Sequence, residues 1–406
     1  MLRDTVEVLI ACYGGGHVQS LLPVVRQLSD QPDISVTVIG FTTALATFRN
    51  AGIPAVGYSS LLDTDDAPWL SLAQTCIEKP LHPEVSEHES IAYYALGLRD
   101  LHIDHGADKA REIFARDGRK AFMPVHAMRR LLRRLTPDLV VATTSPRSEL
   151  ALLRAARLEG IESLAVSDLF LQHESSYICA PGYAKHLTVM AAAVGEYISH
   201  KGFSAERIHV TGSPAFDSLL DGTHAVAAAS LRQRLGMGEH QKLLLWACPS
   251  APVSLIGKPF IETASMIAFL EAYCDTWPDT RYLIRQHPSK PVVAPGTPLR
   301  RGSFCPSGVT IETCLHACDQ VILETSTVGL QAALLGKPVV TVGAGDYPPY
   351  SAYGLAVDVG VLAEAGPALR RMTQPDLARL AYPSQERATD RVCRLVRELG
   401  GVGDVN

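Results

Sequence analysis

Leu323–Val342 reads LETSTVGLQAALLGKPVVTV, and this stretch decides the fold class because it spells a strand end, a hydroxyl-rich loop, a short helix and a second strand. The β-branched pair Val321 and Ile322 leads into Glu324, after which Thr325, Ser326 and Thr327 offer N-cap side chains and backbone N–H groups suited to an anion. Leu330, Ala333 and Leu334 fall on one helical face. Gly336 is placed for the C′ position and Pro338 blocks continuation, so the helix ends before Val339–Val342 forms a buried strand. Taken alone, the segment is equally an ordinary strand–helix–strand turn capped by serine.

The chain around it has 406 residues, 47% of them hydrophobic and 19% charged, with a formal net charge of −5. Such a length exceeds one core and gives two α/β domains of about 200 residues each. Its composition excludes disorder and wholesale nucleic-acid binding. No uninterrupted apolar run reaches membrane-spanning length, and the opening MLRDTVEVLIACYGGG turns from strand to glycine too early for a signal peptide. A cytoplasmic location is the expectation. The nine cysteines show no CxxC spacing, and Cys12, Cys248 and Cys318 lie in or beside apolar patterns, as reduced core thiols do. Neither disulfides nor structural zinc are expected.

Outward from the opening segment, strands and helices alternate along most of the chain, which means parallel sheets. In the first half, the apolar run Val6–Cys12 ends in Tyr13-Gly14-Gly15-Gly16-His17, and Leu21, Leu22, Val25 and Leu28 follow at helical spacing. Ser35–Gly40 reads as a strand, the stretch with Ala44, Leu45 and Phe48 as a helix, and Ala55-Val56-Gly57 as a third short strand. Residues 63–128 are less regular and hold five of the fourteen histidines; helices and loops over the rim of a cleft are expected there. Strands recur at Leu139–Ala142, Ser163–Val166, Leu187–Met190 and Ile208–Val210, with a helix at Glu149–Leu158. Thr211-Gly212-Ser213-Pro214 breaks the pattern before a helical stretch Phe216–Leu220, and the interdomain linker is placed there. The second half repeats the alternation through strands Lys242–Cys248, Tyr282–Arg285, Val309–Ile311, Gln320–Leu323 and Val339–Val342, and an amphipathic helix Gln385–Leu399 closes the chain. The division is thus 1–212, 213–384 and a terminal helix 385–406.

Three short segments carry a resemblance to the GT-B superfamily of nucleotide-sugar enzymes. Gly14-Gly15-Gly16-His17-Val18 resembles the glycine-rich turn of GT-B glycosyltransferases such as the N-acetylglucosaminyltransferase that makes lipid II. Gly15 and Gly16 let a ligand approach the backbone, and the helix start presents N–H groups to negative charge. A histidine here can act as general base on an acceptor hydroxyl, or simply satisfy the helix N-terminus. Arg285-Gln286-His287-Pro288, at a strand end, is similar, together with Thr325-Ser326-Thr327, to motifs of bacterial sialyl- and polysialyltransferases and of capsule and teichoic-acid polymerases. Those families use cytidine-nucleotide donors. Arg285 and His287 can hold phosphate; a strand-end arginine paired to a carboxylate is the plainer alternative. The opening segment is also similar to the nucleotide site of non-hydrolysing UDP-N-acetylglucosamine 2-epimerases, where a helix glutamate binds the ribose. Gln331 stands at that position here, neutral but able to hydrogen-bond a diol.

The resemblance implies two Rossmann-like doubly wound domains facing a cleft, with the last helix crossing back to the first domain. It further implies a nucleotide-sugar substrate, UDP- or CMP/CDP-linked, an acceptor, and no separate cofactor or metal. The arginine-proline-glutamate run of the epimerases is absent after the first strand, and the E-x7-E of many retaining transferases fails because Glu324 is followed seven residues later by Gln331. An inverting transferase fits better than an epimerase or a non-catalytic nucleotide-sugar-binding subunit. Besides His17, Glu149 in Thr144-Ser145-Pro146-Arg147-Ser148-Glu149 and Asp168 lie at strand ends as candidate catalytic acids or bases; a helix-dipole acid and a turn cap are their alternatives. His102, Asp104 and His105 have no metal-site spacing. Arg129, Arg130, Arg133 and Arg134 form a basic stripe that is either a solvated face or a peripheral contact for anionic lipid.

Overall fold

Strands buried on both faces read as continuous apolar runs, because helices cover a parallel sheet on each side. Leu139–Thr143 and Val339–Val342 are buried along their whole length, and Val6–Cys12 is buried from Val8 onward. A computed structural model of the chain describes residues 5–167, 169–249, 261–287, 291–343, 347–383 and 385–402. It divides the chain into two compact units, Met1–Ala215 with Pro383–Asn406, and Phe216–Tyr382.

Unit 1 holds β1 (Val6–Cys12), β2 (Ile34–Gly40), β3 (Leu139–Thr143), β4 (Glu162–Val166), β5 (His186–Val189) and β6 (Ile208–Val210). All are parallel, in the order β2-β1-β3-β4-β5-β6. The expected third strand at Ala55-Val56-Gly57 is a single bridge, Val56 to Ile39 on the outer side of β2, because a 3-10 turn at Tyr58–Leu61 curls the chain away. Unit 2 holds β7 (Lys242–Ala247), β8 (Thr280–Arg285), β9 (Gly302–Phe304), β10 (Gln320–Leu323), β11 (Val339–Val342) and β12 (Val357–Val359), in the parallel order β12-β11-β10-β7-β8-β9. No strand forms at Val309–Ile311. Thr310 instead N-caps the helix Ile311–Ala317, its hydroxyl accepting the Thr313 N–H at 3.2 Å, so a β-branched run opens a helix. Each unit is thus an open, doubly wound parallel sheet of the Rossmann type.

Residues 63–128 are mostly helical and fixed by buried acids. Asp66, fully buried, takes Arg130 at 2.7 Å and Arg99 at 3.3 Å. Asp100, also buried, accepts the N–H groups of His126 and Ala127 at the start of the helix Val125–Leu135. This accounts for the basic stripe: Arg129 and Arg133 bind Glu159, Arg130 binds Asp66 and Asp63, and Arg134 donates to the Ser60 carbonyl at 2.6 Å. All four arginines serve the fold. His102 packs against the Trp69 ring and Asp104 is paired with His126 at 2.8 Å.

The last helix, Ala388–Gly400, is amphipathic and packs on the helix Gly16–Ser29 of unit 1. Val392, Cys393, Leu395 and Val396 enter the same core as Val8, Ile10, Leu21 and Leu28, and Arg397 pairs with Asp33 at 2.7 Å. Among the described residues no helix is long and apolar enough to cross a membrane. Leu395 is 6% exposed, so Leu395→Ala removes buried methyls and leaves a cavity. The expected cost is about 2–5 kcal/mol in urea unfolding; a loss below about 1 kcal/mol would show that this helix contributes little to the core.

Candidate functional site

In an open parallel sheet, ligands bind beyond the carboxyl ends of the strands where the strand order reverses. In unit 1 that point lies between β1 and β3, and in unit 2 between β7 and β10. The segments after these strands are Tyr13–His17, Thr144–Glu149 and Glu324–Thr327. The topology therefore brings the glycine–histidine turn and Glu149 to one crevice.

After β1 the chain turns through Gly15, whose φ of +68° is disfavoured for any residue with a Cβ. A Cβ on Gly14 would lie 2.9 Å from Thr43 Cβ and clash with its hydroxyl. The helix Gly16–Ser29 then opens with no acidic residue in its first turn and no side-chain cap, and Gly15 and Gly16 are exposed. Its first amides are presented to the crevice side of the turn. His17 is half-buried, and its Nδ1 is buried with no hydrogen-bond partner among the described residues.

Glu149 sits in the first turn of the helix Ser148–Leu158 and is fully buried. Its Oε1 accepts the Tyr13 N–H at 3.0 Å and the Thr143 hydroxyl, so one carboxylate ties the end of β1 to the end of β3. Oε2 is buried with no such partner among the described residues. Burial pushes the Glu149 carboxyl up, and the strongest opposing influence is the charge of His17. The sequence expectations for His17 and Glu149 thus fall on one constellation. Asp168 lies outside the described residues.

Beside the same turn a cavity of about 590 Å³ opens in unit 1, with Tyr13, Gly15, Thr42, Tyr58, Tyr93 and Arg147 in its wall. Tyr58 stacks on Phe41 at 4.9 Å and leans on Tyr93 at 5.0 Å, while its hydroxyl is 2.7 Å from Ser148 Oγ. Sequence reasoning missed these tyrosines. Arg147 stood in the segment that named Glu149, but no motif distinguished it.

In unit 2 the side chain of Glu324, just past β10, accepts the Trp246 indole N–H at 3.3 Å, and burial pushes its carboxyl up to about 7. The hydroxyl loop after it is clamped from behind. Ser326 Oγ accepts the Val328 N–H at 3.3 Å, and the Tyr350 hydroxyl donates to the Ser326 carbonyl at 2.6 Å. Gly329 is required here because a Cβ would lie 2.6 Å from the Tyr350 ring. Thr325 and Ser326 are half-buried, Thr327 is exposed, and Gln331 is half-buried in the following helix Val328–Leu334. Thr327 occupies the N-cap without a side-chain capping bond. Gly336, with φ +69°, follows the helix as the spacing predicts.

Arg285 ends β8, half-buried, with no carboxylate partner among the described residues. Its guanidinium donates to Cys305 Sγ at 3.9 Å, and Cys305 lies 3.4 Å from Cys314 Sγ. The Cys314 thiol, followed by the Arg285 charge, lowers the Cys305 thiol to about 7 against burial. Gln286 is locked by two bonds to the Val293 backbone, and His287 follows it. Pro288 lies outside the described residues, as do Ser250–Val253 of the loop after β7. All nine cysteines are free thiols, and no cluster of three or more His, Cys, Asp or Glu that could hold a metal ion occurs among the described residues.

Residues 264–385 match the family model described as capsule polysaccharide biosynthesis protein. No curated protein matches the chain by sequence. Among solved structures, UDP-GlcNAc 2-epimerase from Methanocaldococcus jannaschii is 12% identical with a TM-score of 0.59, over 97% of this chain and 100% of that one. The UDP-GlcNAc 2-epimerase from Neisseria meningitidis, bound to UDP-GlcNAc, is 12% identical with a TM-score of 0.59, over 97% and 99%. The calicheamicin glycosyltransferase is 14% identical with a TM-score of 0.57, over 98% and 99%. At these identities the likeness shows the fold, which is GT-B.

Glu324 makes the stability of unit 2 depend on pH in a defined direction. Its carboxyl is raised from 4.5 to about 7, so below pH 4.5 it is protonated whether the chain is folded or not. Between about 4.5 and 7 only the unfolded chain ionises, and the stabilising contribution is lost as pH rises through that window. Glu324→Gln keeps an acceptor for Trp246 and removes this titration. The variant is expected to gain on the order of 2–3 kcal/mol over the wild type at pH 8 and nothing at pH 4.5, measured by urea unfolding. Parallel pH curves for the two proteins would contradict the assignment.

Proposed function

We propose that this chain is an inverting glycosyltransferase that moves a sugar from a nucleotide-sugar donor to an acceptor hydroxyl in polysaccharide or glycoconjugate biosynthesis. The observation that carries this reading is the buried Glu149 carboxylate beside His17 at the switch point of unit 1. A base beside a fixed, buried carboxylate gains a counter-charge when it takes a proton.

In this mechanism His17 takes the proton of the acceptor hydroxyl, and the nearby Glu149 carboxylate supplies the counter-charge to the imidazolium that forms. The acceptor oxygen bonds to the anomeric carbon while the bond from that carbon to the phosphate oxygen breaks, inverting the centre. Negative charge then appears on the leaving nucleotide, so its site must be cationic or dipolar. Unit 2 offers the Arg285 guanidinium, which has no carboxylate partner among the described residues, with His287, the backbone and hydroxyls of Thr325, Ser326 and Thr327, and Gln331 as the proposed ribose contact. The matched capsule biosynthesis segment runs through all of these residues. The donor is a UDP- or CMP/CDP-linked sugar.

Purified protein with a panel of UDP- and CMP-sugars and oligosaccharide acceptors tests the assignment. His17→Ala is expected to lower transfer by about 10²–10⁴-fold with donor affinity retained, and Arg285→Ala to weaken donor binding. Full transfer by His17→Ala would overturn the base assignment. Conversion of UDP-N-acetylglucosamine to its 2-epimer without acceptor would establish an isomerase instead, and nucleotide binding with no turnover of any kind a non-catalytic subunit.

A further inference from the structure

The cavity of unit 1 contains one charge that the fold does not use. Its acids are Glu78 and Glu89, and its permanent cations are Arg119 and Arg147. Glu78 pairs with Arg119 at 3.6 Å. Glu89 is 9% exposed and accepts both the Ser59 N–H, at 3.3 Å, and the Ser59 hydroxyl. Arg147 remains: half-buried, its guanidinium with neither a hydrogen bond nor a carboxylate partner among the described residues. Holding a guanidinium partly out of water without a partner opposes folding unless a ligand supplies the anion. Its charge is felt inside the wall, where it opposes the burial that pushes the Tyr93 hydroxyl up to about 12.

The rest of the wall has the character of a carbohydrate site. Aromatic rings line it in sequence, Tyr58 against Tyr93 and Tyr13 nearby, with hydroxyls of Thr43, Ser90 and Ser148 between them. Thr42 adds a second, independent sign. It is a β-branched residue at φ +52°, a conformation disfavoured for its class, and its Oγ1 is buried without a partner among the described residues. Strain and an unsatisfied hydroxyl at a cavity wall mark a group held for a ligand. The volume of about 590 Å³ lies within the range of small-molecule sites.

We infer that this cavity binds an acidic sugar unit, with Arg147 as the counter-ion of its carboxylate or phosphate and Thr42 and the tyrosines holding the ring and its hydroxyls. Calling that sugar part of the acceptor rests on the transferase reading above; the binding itself does not. The turn Tyr13–Gly15 that forms one wall leads directly into His17, so a hydroxyl of a bound sugar enters on the side of the proposed base.

Binding of methyl glucuronide, methyl glucoside 6-phosphate, neutral methyl glucoside and UMP to the full chain, followed by ligand-observed NMR, tests this without any turnover. At least one acidic glycoside is expected to bind about tenfold or more tighter than methyl glucoside, and which one does so separates carboxylate from phosphate recognition. Arg147→Gln should reduce the preference to within about twofold while leaving the affinity for the neutral glycoside unchanged; Arg147→Lys should restore part of it, since it keeps the charge and loses the fork. Equal binding of neutral and acidic glycosides, or a preference that survives Arg147→Gln, would overturn the proposal. So would UMP displacing the acidic glycoside from the wild type but not from Arg147→Gln, which would give the cavity to a nucleotide. UDP binding, measured in parallel with Arg285→Ala, reports on the donor reading separately, so either can fail alone.

Discussion

One buried carboxylate organises unit 1 at its functional end. Glu149 accepts the Tyr13 N–H and the Thr143 hydroxyl, joining the segments after β1 and β3 at the point where the strand order reverses. Without that acceptor the Tyr13 amide would be an unpaired donor in a water-poor crevice, and the glycine turn would lose the contact that fixes its start. The same carboxylate lies within the influence of the His17 charge, which opposes the upward push of burial on it. A group that a helix N-terminus would tolerate anywhere in its first turn is thus drawn inward to serve the neighbouring strand.

Unit 2 repeats the arrangement with different chemistry. Glu324 stands at its switch point, half-buried, with Trp246 from the adjacent β7 as its donor. Both carboxyls are raised by burial, but only Glu149 has a histidine charge opposing the rise. One acid therefore lies within the influence of a histidine charge, whereas the other ties the start of the Thr325–Thr327 loop to β7 through Trp246. Tyr350 completes that rigidity from the opposite side, and Gly329 lets it approach. A loop fixed on both sides presents its outward amides without first having to order them.

Local features of the chain were legible and distant ones were not. Buried strands such as Leu139–Thr143 and Gln320–Leu323 announce themselves because both faces are covered, so hydrophobicity alone marks them. Gly15 and Gly336 mark positive-φ positions because few other residues tolerate them. Val309–Ile311 misled, since a β-branched run says nothing of a threonine poised to cap the next helix. Ala55–Gly57 misled for a related reason: one bridge formed before the 3-10 turn removed the chain from the sheet edge. Tyr58 and Tyr93 carried no signal, because they meet across a long sequence separation and neither lies in a periodic pattern that records the other. Arg147 was visible only as a neighbour of Glu149; that its guanidinium has no partner among the described residues is a property of three-dimensional charge balance.

The two scaffolds explain how one fold accommodates transferases and epimerases alike. Both reactions break the bond between an anomeric carbon and a phosphate, so both call for a cationic, dipolar grip, the role proposed here for Arg285 at the end of β8 and for Thr325–Thr327 after β10. They part company at the other reactant. An epimerase must move a proton at carbon and then return the sugar to its own nucleotide, which calls for acids and bases set around a single bound molecule. A transferase needs room for a second molecule and one base directed at its hydroxyl. In unit 1 one histidine beside one buried carboxylate at the glycine turn, next to a cavity that holds Arg147, is what the proposed transfer would use as the second pattern. On the proposed reading, a nucleotide grip in unit 2 and a separate cavity wall in unit 1 are what would favour transfer over isomerisation.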